Sequence, residues 1–196
     1  MGFVEARQWI WIAPGTTVAV CHDRERIVSV GRDKVLSCCS VDGHLPVLDR
    51  HSDSISGIAV THNGKHVLSA SEDSTVKIWN YSSGSFERTL TGHTDCVTSI
   101  ALLPDGVPEI TGSFDESVRN MDLLSVREEK TLLGNPGCVT SVAVVPGTSL
   151  FVSASHDKTI ILWNLDFGAE EERMTGHTDS AMTKPSKSGK SLLVKQ

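Results

Sequence analysis

Serine, histidine and aspartate fall close together in this chain, as His51, Ser69 and Asp73, with Trp79 just beyond. These are the residue types of acyl-transfer catalysis, in which a carboxylate orients an imidazole and the imidazole takes the proton of a nucleophilic hydroxyl. The set is not unique. A shift of 42 residues carries His51 to His93, Asn135 and His177; Ser69 to Thr111 and Ser153; Asp73 to Asp115 and Asp157; and Trp79 to Met121 and Trp163. A catalytic triad occurs once and needs an oxyanion hole beside it. A constellation that recurs and erodes along the chain points to a structural role, so no catalytic residue and no enzyme are predicted.

Other chemistry-bearing features are weaker still. Ser188-Gly189-Lys190-Ser191 matches the end of a phosphate-binding loop, but Lys184 stands where the earlier glycine is required, and no strand-to-helix turn is predicted there. The five cysteines, Cys21, Cys38, Cys39, Cys96 and Cys138, are odd in number and form no C-x-x-C pair. Thiols in a reducing compartment, with no metal and no cofactor, fit this pattern. Asn80-Tyr81-Ser82 is a glycosylation triplet at a strand end and is read as chance. Met1-Gly2 opens like a myristoylation site, but Ala6 occupies the place of the needed Ser or Thr. Trp9-Ile10-Trp11-Ile12 is too short for a signal or a membrane span. A formal net charge of −6 argues against a nucleic-acid or anionic-membrane surface. Only the end, from Lys184 onward, is locally basic.

The elements that must position these residues are short. Val67–Ser71 and Thr75–Trp79 alternate apolar with small or polar residues about a tight Glu72-Asp73-Ser74 corner, which reads as strands in hairpins rather than as helix. Turn pairs at Asn63-Gly64, Asp105-Gly106 and Pro146-Gly147 separate the first two strands of successive units. At Asn63-Gly64 both residues tolerate positive φ. Each unit has four strands, and a fixed period of about 40–45 residues with a Gly-His to Trp-Asp rhythm is the signature of a propeller array. On these residues the chain resembles the WD-repeat β-propeller family from about Thr16 to His177. The expected fold is all-β, a propeller with four recognisable four-stranded blades and a truncated fifth. The expected organisation is an N-terminal segment at 1–15 with one closing strand at Gln8–Ile12, four blades at 16–176, and a partial blade with a basic tail at 177–196. In the first, degenerate blade Asp33 aligns with Asp73 and Ser29 with Ser69, Cys38 takes the Trp position, and the corner is read as one residue shorter.

The resemblance implies a buried hydrogen-bonded tetrad in each blade: the corner Asp holds the His, the His meets the strand Ser or Thr, and that hydroxyl meets the indole. The residues concerned are His51, Ser69, Asp73 and Trp79; His93, Thr111 and Asp115; and Ser153, Asp157 and Trp163. Losses at Met121 and Asn135 predict that the second blade is the most rigid. The resemblance further implies docking on the face that carries the inter-blade loops. The residues just before the corner Asp, namely Arg32, Glu72, Phe114 and His156, point to that face, with Ser54, Cys96 and Cys138 nearby. The predicted function is a non-catalytic scaffold that recruits partner peptides or domains. The alternatives are a hydrolase or enzyme-accessory subunit with a site in the central channel, and the sensor array of a larger signalling ATPase. The Trp-Asp-x-Arg tetrapeptide of ubiquitin-ligase substrate receptors is absent. Propellers close with about four to eight blades, and this chain stops during its fifth. A fragment or truncated product is therefore expected first, ahead of a ring closed by Gln8–Ile12 pairing with Ser191–Val194 or by a partner or second copy. The expected location is cytoplasmic, with the nucleus as the alternative.

Overall fold

A computed structural model of the chain describes residues 17–20, 26–40, 47–103, 109–121 and 128–178. Within them lie four antiparallel sheets, each made of four strands in hairpin order. The first contains β1 (Thr17–Val20), β2 (Arg26–Val30), β3 (Val35–Ser40) and β4 (Val47–Arg50). The second contains β5 (Ile55–Val60), β6 (His66–Ser71), β7 (Val76–Asn80) and β8 (Phe86–Leu90). The third contains β9 (Val97–Leu102), β10 (Glu109–Ser113), β11 (Ser117–Met121) and β12 (Glu128–Leu133). The fourth contains β13 (Val139–Val144), β14 (Leu150–Ser155), β15 (Ile160–Asn164) and β16 (Ala169–Met174). The strands expected at Gln8–Ile12 and Ser191–Val194 lie outside the described residues, as does the Asp105-Gly106 turn.

Most of the core sits between the sheets, and one further cluster, Val152, Ala154 and Ile160 with Ala143, Leu162 and Met174, lies on the fourth sheet itself. Val28, Val30 and Leu36 of the first blade pack with Ile55, Val67 and Trp79 of the second. Leu68, Val76 and Ile78 of the second pack with Val97 and Met121 of the third. Ile110, Val118 and Leu132 of the third pack with Val139, Phe151 and Trp163 of the fourth. A side chain such as Leu68 or Ile78, buried in this way, contributes roughly 1.5–3 kcal/mol. Sheets covered on both faces have strands without an exposed side. Ser69, Ala70 and Ser71 of β6 are accordingly all buried, as are their counterparts in β10 and β14. The small residues at these positions let the blades approach. A Cβ on Gly112 would stand only 2.6 Å from Val139 Cγ1 of the next blade. β16, by contrast, is an outer strand whose Glu170-Glu171-Glu172 run faces solvent, a charge pattern that discourages edge-to-edge pairing.

Every corner between the second and third strands is built alike. Ser74 N donates to Ser71 O and Lys158 N to Ser155 O, closing a tight turn. The residue after the corner Asp then takes a left-handed conformation, at Lys34 (φ 68°), Ser74 (φ 67°), Glu116 (φ 68°) and Lys158 (φ 74°). The Asp makes this conformation tenable, because its Oδ1 accepts the amide two residues on: Val35, Thr75, Ser117 and Thr159 donate at 3.2, 3.1, 3.0 and 2.8 Å. Two expectations need correction here. The corner of the first blade is not one residue shorter, and Cys39 rather than Cys38 holds the Trp position. Ile27 faces Cys39 as Val67 faces Trp79, while Cys38 matches Ile78. At Asn63-Gly64 only Gly64 has positive φ (65°), since the Asn63 carboxamide instead accepts the Lys65 amide at 3.0 Å.

The blades are further joined by hydroxyls that the spacing did not single out. Ser56, Thr98 and Thr140 each sit at the bulge of an inner strand, skipped by the pairing register. Thr98 Oγ1 reaches Gly112 O of its own blade (3.0 Å) and Val139 O of the next (2.7 Å). Ser56 makes the equivalent pair of contacts to Ala70 O and Val97 O. Their common spacing is visible in the sequence, but a Ser or Thr in a strand carries no signal that its hydroxyl crosses a boundary.

Candidate functional site

In the second blade His51 Nδ1 lies 2.8 Å from Asp73 Oδ2, its Nε2 2.7 Å from Ser69 Oγ, and Trp79 Nε1 donates to Ser69 Oγ at 2.9 Å. A carboxylate only accepts, so the imidazole proton sits on Nδ1, Nε2 accepts the Ser69 hydroxyl, and Ser69 Oγ accepts the indole. Asp73 Oδ2 also takes the Ser52 amide at 3.0 Å. Burial alone would raise the Asp73 pKa, but hydrogen bonds from Thr75, His51 and Ser52 overcome it and hold the group at about 2. Burial pushes His51 below its ordinary value despite the neighbouring carboxylate, which keeps the ring neutral. The third blade repeats this geometry without the indole. His93 Nδ1 lies 2.8 Å from Asp115 Oδ2 and Nε2 lies 2.8 Å from Thr111 Oγ1, while Met121 fills the Trp position. Asp115 is likewise held at about 2 by Ser117, His93 and Thr94 against the upward pull of burial.

The fourth blade differs in a way that follows from two substitutions. Ser153 Oγ donates to Asn135 Oδ1 at 2.9 Å and accepts Trp163 Nε1 at 2.8 Å. Asn135 is too short to bridge to Asp157, and Pro136 lacks the amide that Ser52 and Thr94 supply. Asp157 Oδ2 and Asn135 Nδ2 are both buried without a hydrogen-bond partner. Ser69 is wholly buried, with its oxygen occupied by ring and indole.

Accessible side chains lie instead at the corners. Arg32, Glu72, Phe114 and His156 are exposed. Glu72 N donates to Ser54 O, Phe114 N to Cys96 O and His156 N to Cys138 O, each at 2.9 Å. The structure thus brings six of the candidate docking residues together in three backbone-bonded pairs. Arg32 stands apart from these pairs on the first blade. Phe114 is 38% exposed and meets His156 of the fourth blade edge-on, with ring centroids 6.0 Å apart at 68°. Burial raises the Cys96 thiol above its ordinary value, and the Asp95 and Glu72 carboxylates push it the same way, so Cys96 stays a protonated, unreactive thiol. Lys34 is a residue that spacing alone missed. Its Nζ donates to Ser52 O at 2.7 Å and lies 3.6 Å from Asp53 Oδ1, reaching from the first corner to the loop entering the second blade.

Comparisons with known proteins agree with this architecture. Protein hir1 of Schizosaccharomyces pombe (strain 972 / ATCC 24843) is 32% identical over 73 residues, which is 36% of this chain and 8% of that protein. The solved structure of U3-55K superposes with a TM-score of 0.77 at 23% identity, over 83% of this chain and 52% of that one. The chain therefore spans a small part of the first relative and about half of the second. The family model of the WD40 repeat, described as WD domain, G-beta repeat, matches residues 43–80, 84–120 and 127–164. With these repeats spread over most of its described blades, the chain belongs to the WD-repeat β-propeller family.

Proposed function

We propose that the chain is a non-catalytic docking platform that holds partner polypeptides on its corner face, around Phe114 and His156. WD-repeat proteins generally act as protein-interaction scaffolds, which supports the broad class. The observation that carries the finer reading is Phe114. A large apolar ring left 38% exposed beside a tight turn, and braced edge-on by a His of the neighbouring blade, combines accessibility with a fixed orientation. Rigid aromatic anchors of this kind dominate binding at protein interfaces. The corners beneath are held by the Asp73 and Asp115 hydrogen bonds, so little ordering entropy is lost on binding.

The test is recovery of co-purifying proteins with the wild-type chain and with Phe114→Ala and His156→Ala, alongside circular dichroism and thermal melts. Loss of the same partners from both variants, with unchanged melting, is the expected result. Full recovery by two well-folded variants refutes docking at this face.

A further inference from the structure

The repeat supplies a template for what binds at one boundary of this face. Between the first and second blades, Lys34 extends from the left-handed corner position and places its ammonium on Ser52 O (2.7 Å) and the Asp53 carboxylate (3.6 Å). The loop entering the third blade is constructed in the same way. Thr94 N donates to Asp115 Oδ2 at 3.1 Å as Ser52 N does to Asp73 Oδ2 at 3.0 Å. Cys96 N donates to Asp95 Oδ1 at 2.7 Å as Ser54 N does to Asp53 Oδ1 at 2.8 Å. The corner facing this second loop has the same backbone, φ 67° against 68°, but its residue is Ser74. A serine is too short to reach the loop. Asp95 therefore stands exposed with no ion-pair partner among the described residues, and Glu72, equally unpaired there, lies close enough to act on the same Cys96 thiol.

We infer that the boundary between the second and third blades binds a cationic side chain, a lysine or arginine of a partner polypeptide, on the Asp95 carboxylate and the Thr94 carbonyl. Glu72 adds a second negative charge, and Phe114, whose amide is bonded to Cys96 O, supplies the adjacent apolar contact. The ammonium occupies the place that Lys34 fills one blade earlier. Charge complementarity favours a basic segment over an acidic one, and the ring edge of Phe114 selects an apolar neighbour to the cation. This inference rests on the corner face being a docking surface, and the experiment separates the two ideas.

The experiment is selection of a phage-displayed random-peptide library on the full chain, followed by affinity measurement of the selected peptides on variants. Ser74→Lys is the decisive variant. It recreates the Lys34 arrangement within the chain and fills the site with the chain's own ammonium while leaving Asp95, Glu72 and Phe114 in place. The expected result is enrichment of Lys or Arg, a loss of about fivefold in affinity on Ser74→Lys and on Asp95→Asn, and a weaker interaction at high salt. Peptides without cationic enrichment, or peptides that bind Ser74→Lys as tightly as wild type, overturn the inference. If such peptides still lose binding to Phe114→Ala, the docking face stands and only the cation site falls. If they bind Phe114→Ala equally well, both fall.

Discussion

Restoring the fourth blade to the pattern of the second tests the energetic reasoning directly. Asn135→His places an imidazole between Ser153 and Asp157. The slot has the same walls as in the second blade: Trp163 donates to Ser153 as Trp79 does to Ser69, and Thr159 donates to Asp157 Oδ1 at 2.6 Å as Thr75 does to Asp73 at 2.5 Å. The new ring would give Asp157 Oδ2 the donor it lacks and would accept the Ser153 hydroxyl in place of Asn135 Oδ1. A hydrogen bond to a charged group is worth about 1.5–3 kcal/mol, and removing a buried unsatisfied atom acts in the same direction. Fixing a larger side chain and forming a more strongly desolvated ring offset part of this. The net expectation is a stabilisation of about 1–2 kcal/mol, or a rise in Tm of about 2–8 °C for a chain of this size. Urea titration followed by tryptophan fluorescence reads it as a higher midpoint at constant slope. Pro136→Thr alone would add the missing amide donor but lose about 0.4–1 kcal/mol through the freer unfolded chain, so its effect should be close to zero. The two changes should interact, because both address one oxygen. An unchanged or lowered midpoint for Asn135→His refutes the claim that Asp157 is under-satisfied in the fold.

Three further outcomes follow from the geometry. Acid should destabilise the chain in two stages: Asp73 and Asp115, held at about 2 against an ordinary 3.8, contribute stability that is complete above about pH 4 and lost towards pH 2. His51, lowered from 6.5, adds a shallower loss that begins as the pH falls below that value, and a His51→Asn variant should lack this shallow part in pH-dependent melts. Thr98→Val removes the hydroxyl that bonds Gly112 O within the third blade and Val139 O of the fourth, and should cost about 1–2 kcal/mol in chemical denaturation; no change would remove that hydroxyl from the forces joining the blades. Native-state hydrogen exchange should find β7 of the second blade more protected than β3 of the first, since only the former has a His and a Trp closing its polar set; the reverse order would contradict the link between those bonds and rigidity.

What the sequence makes legible is what a repeat writes in residue types. Corner aspartates announce a turn because their carboxylates bond to their own backbone, and alternating Val67–Ser71 announces a strand because the pleat has a period of two. Contacts between blades are written far less clearly. Nothing in a lone Ser or Thr marks Ser56 or Thr98 as a bridge, and the Lys34–Asp53 pair joins residues whose kinship appears only when two blades lie side by side. Spacing names Glu72, Phe114 and His156 as corner positions, yet not that the Phe114 and His156 rings touch across a boundary. The register of the first blade is not legible beyond Asp33, because no tryptophan marks the position that Cys39 takes. Glu109, fully buried where Val67 and Phe151 stand in neighbouring blades, is the position at which composition is most misleading.

The left-handed residue at each corner has a consequence for how such a fold diversifies. Its backbone is held by the preceding aspartate, so the turn does not depend on its side chain, and lysine (Lys34, Lys158), serine (Ser74) and glutamate (Glu116) all occupy this place on one unchanged path. Each blade therefore carries a single interchangeable label on its rim. A propeller can rewrite the order of those labels, and with it what it attracts, by single substitutions that leave its interior untouched.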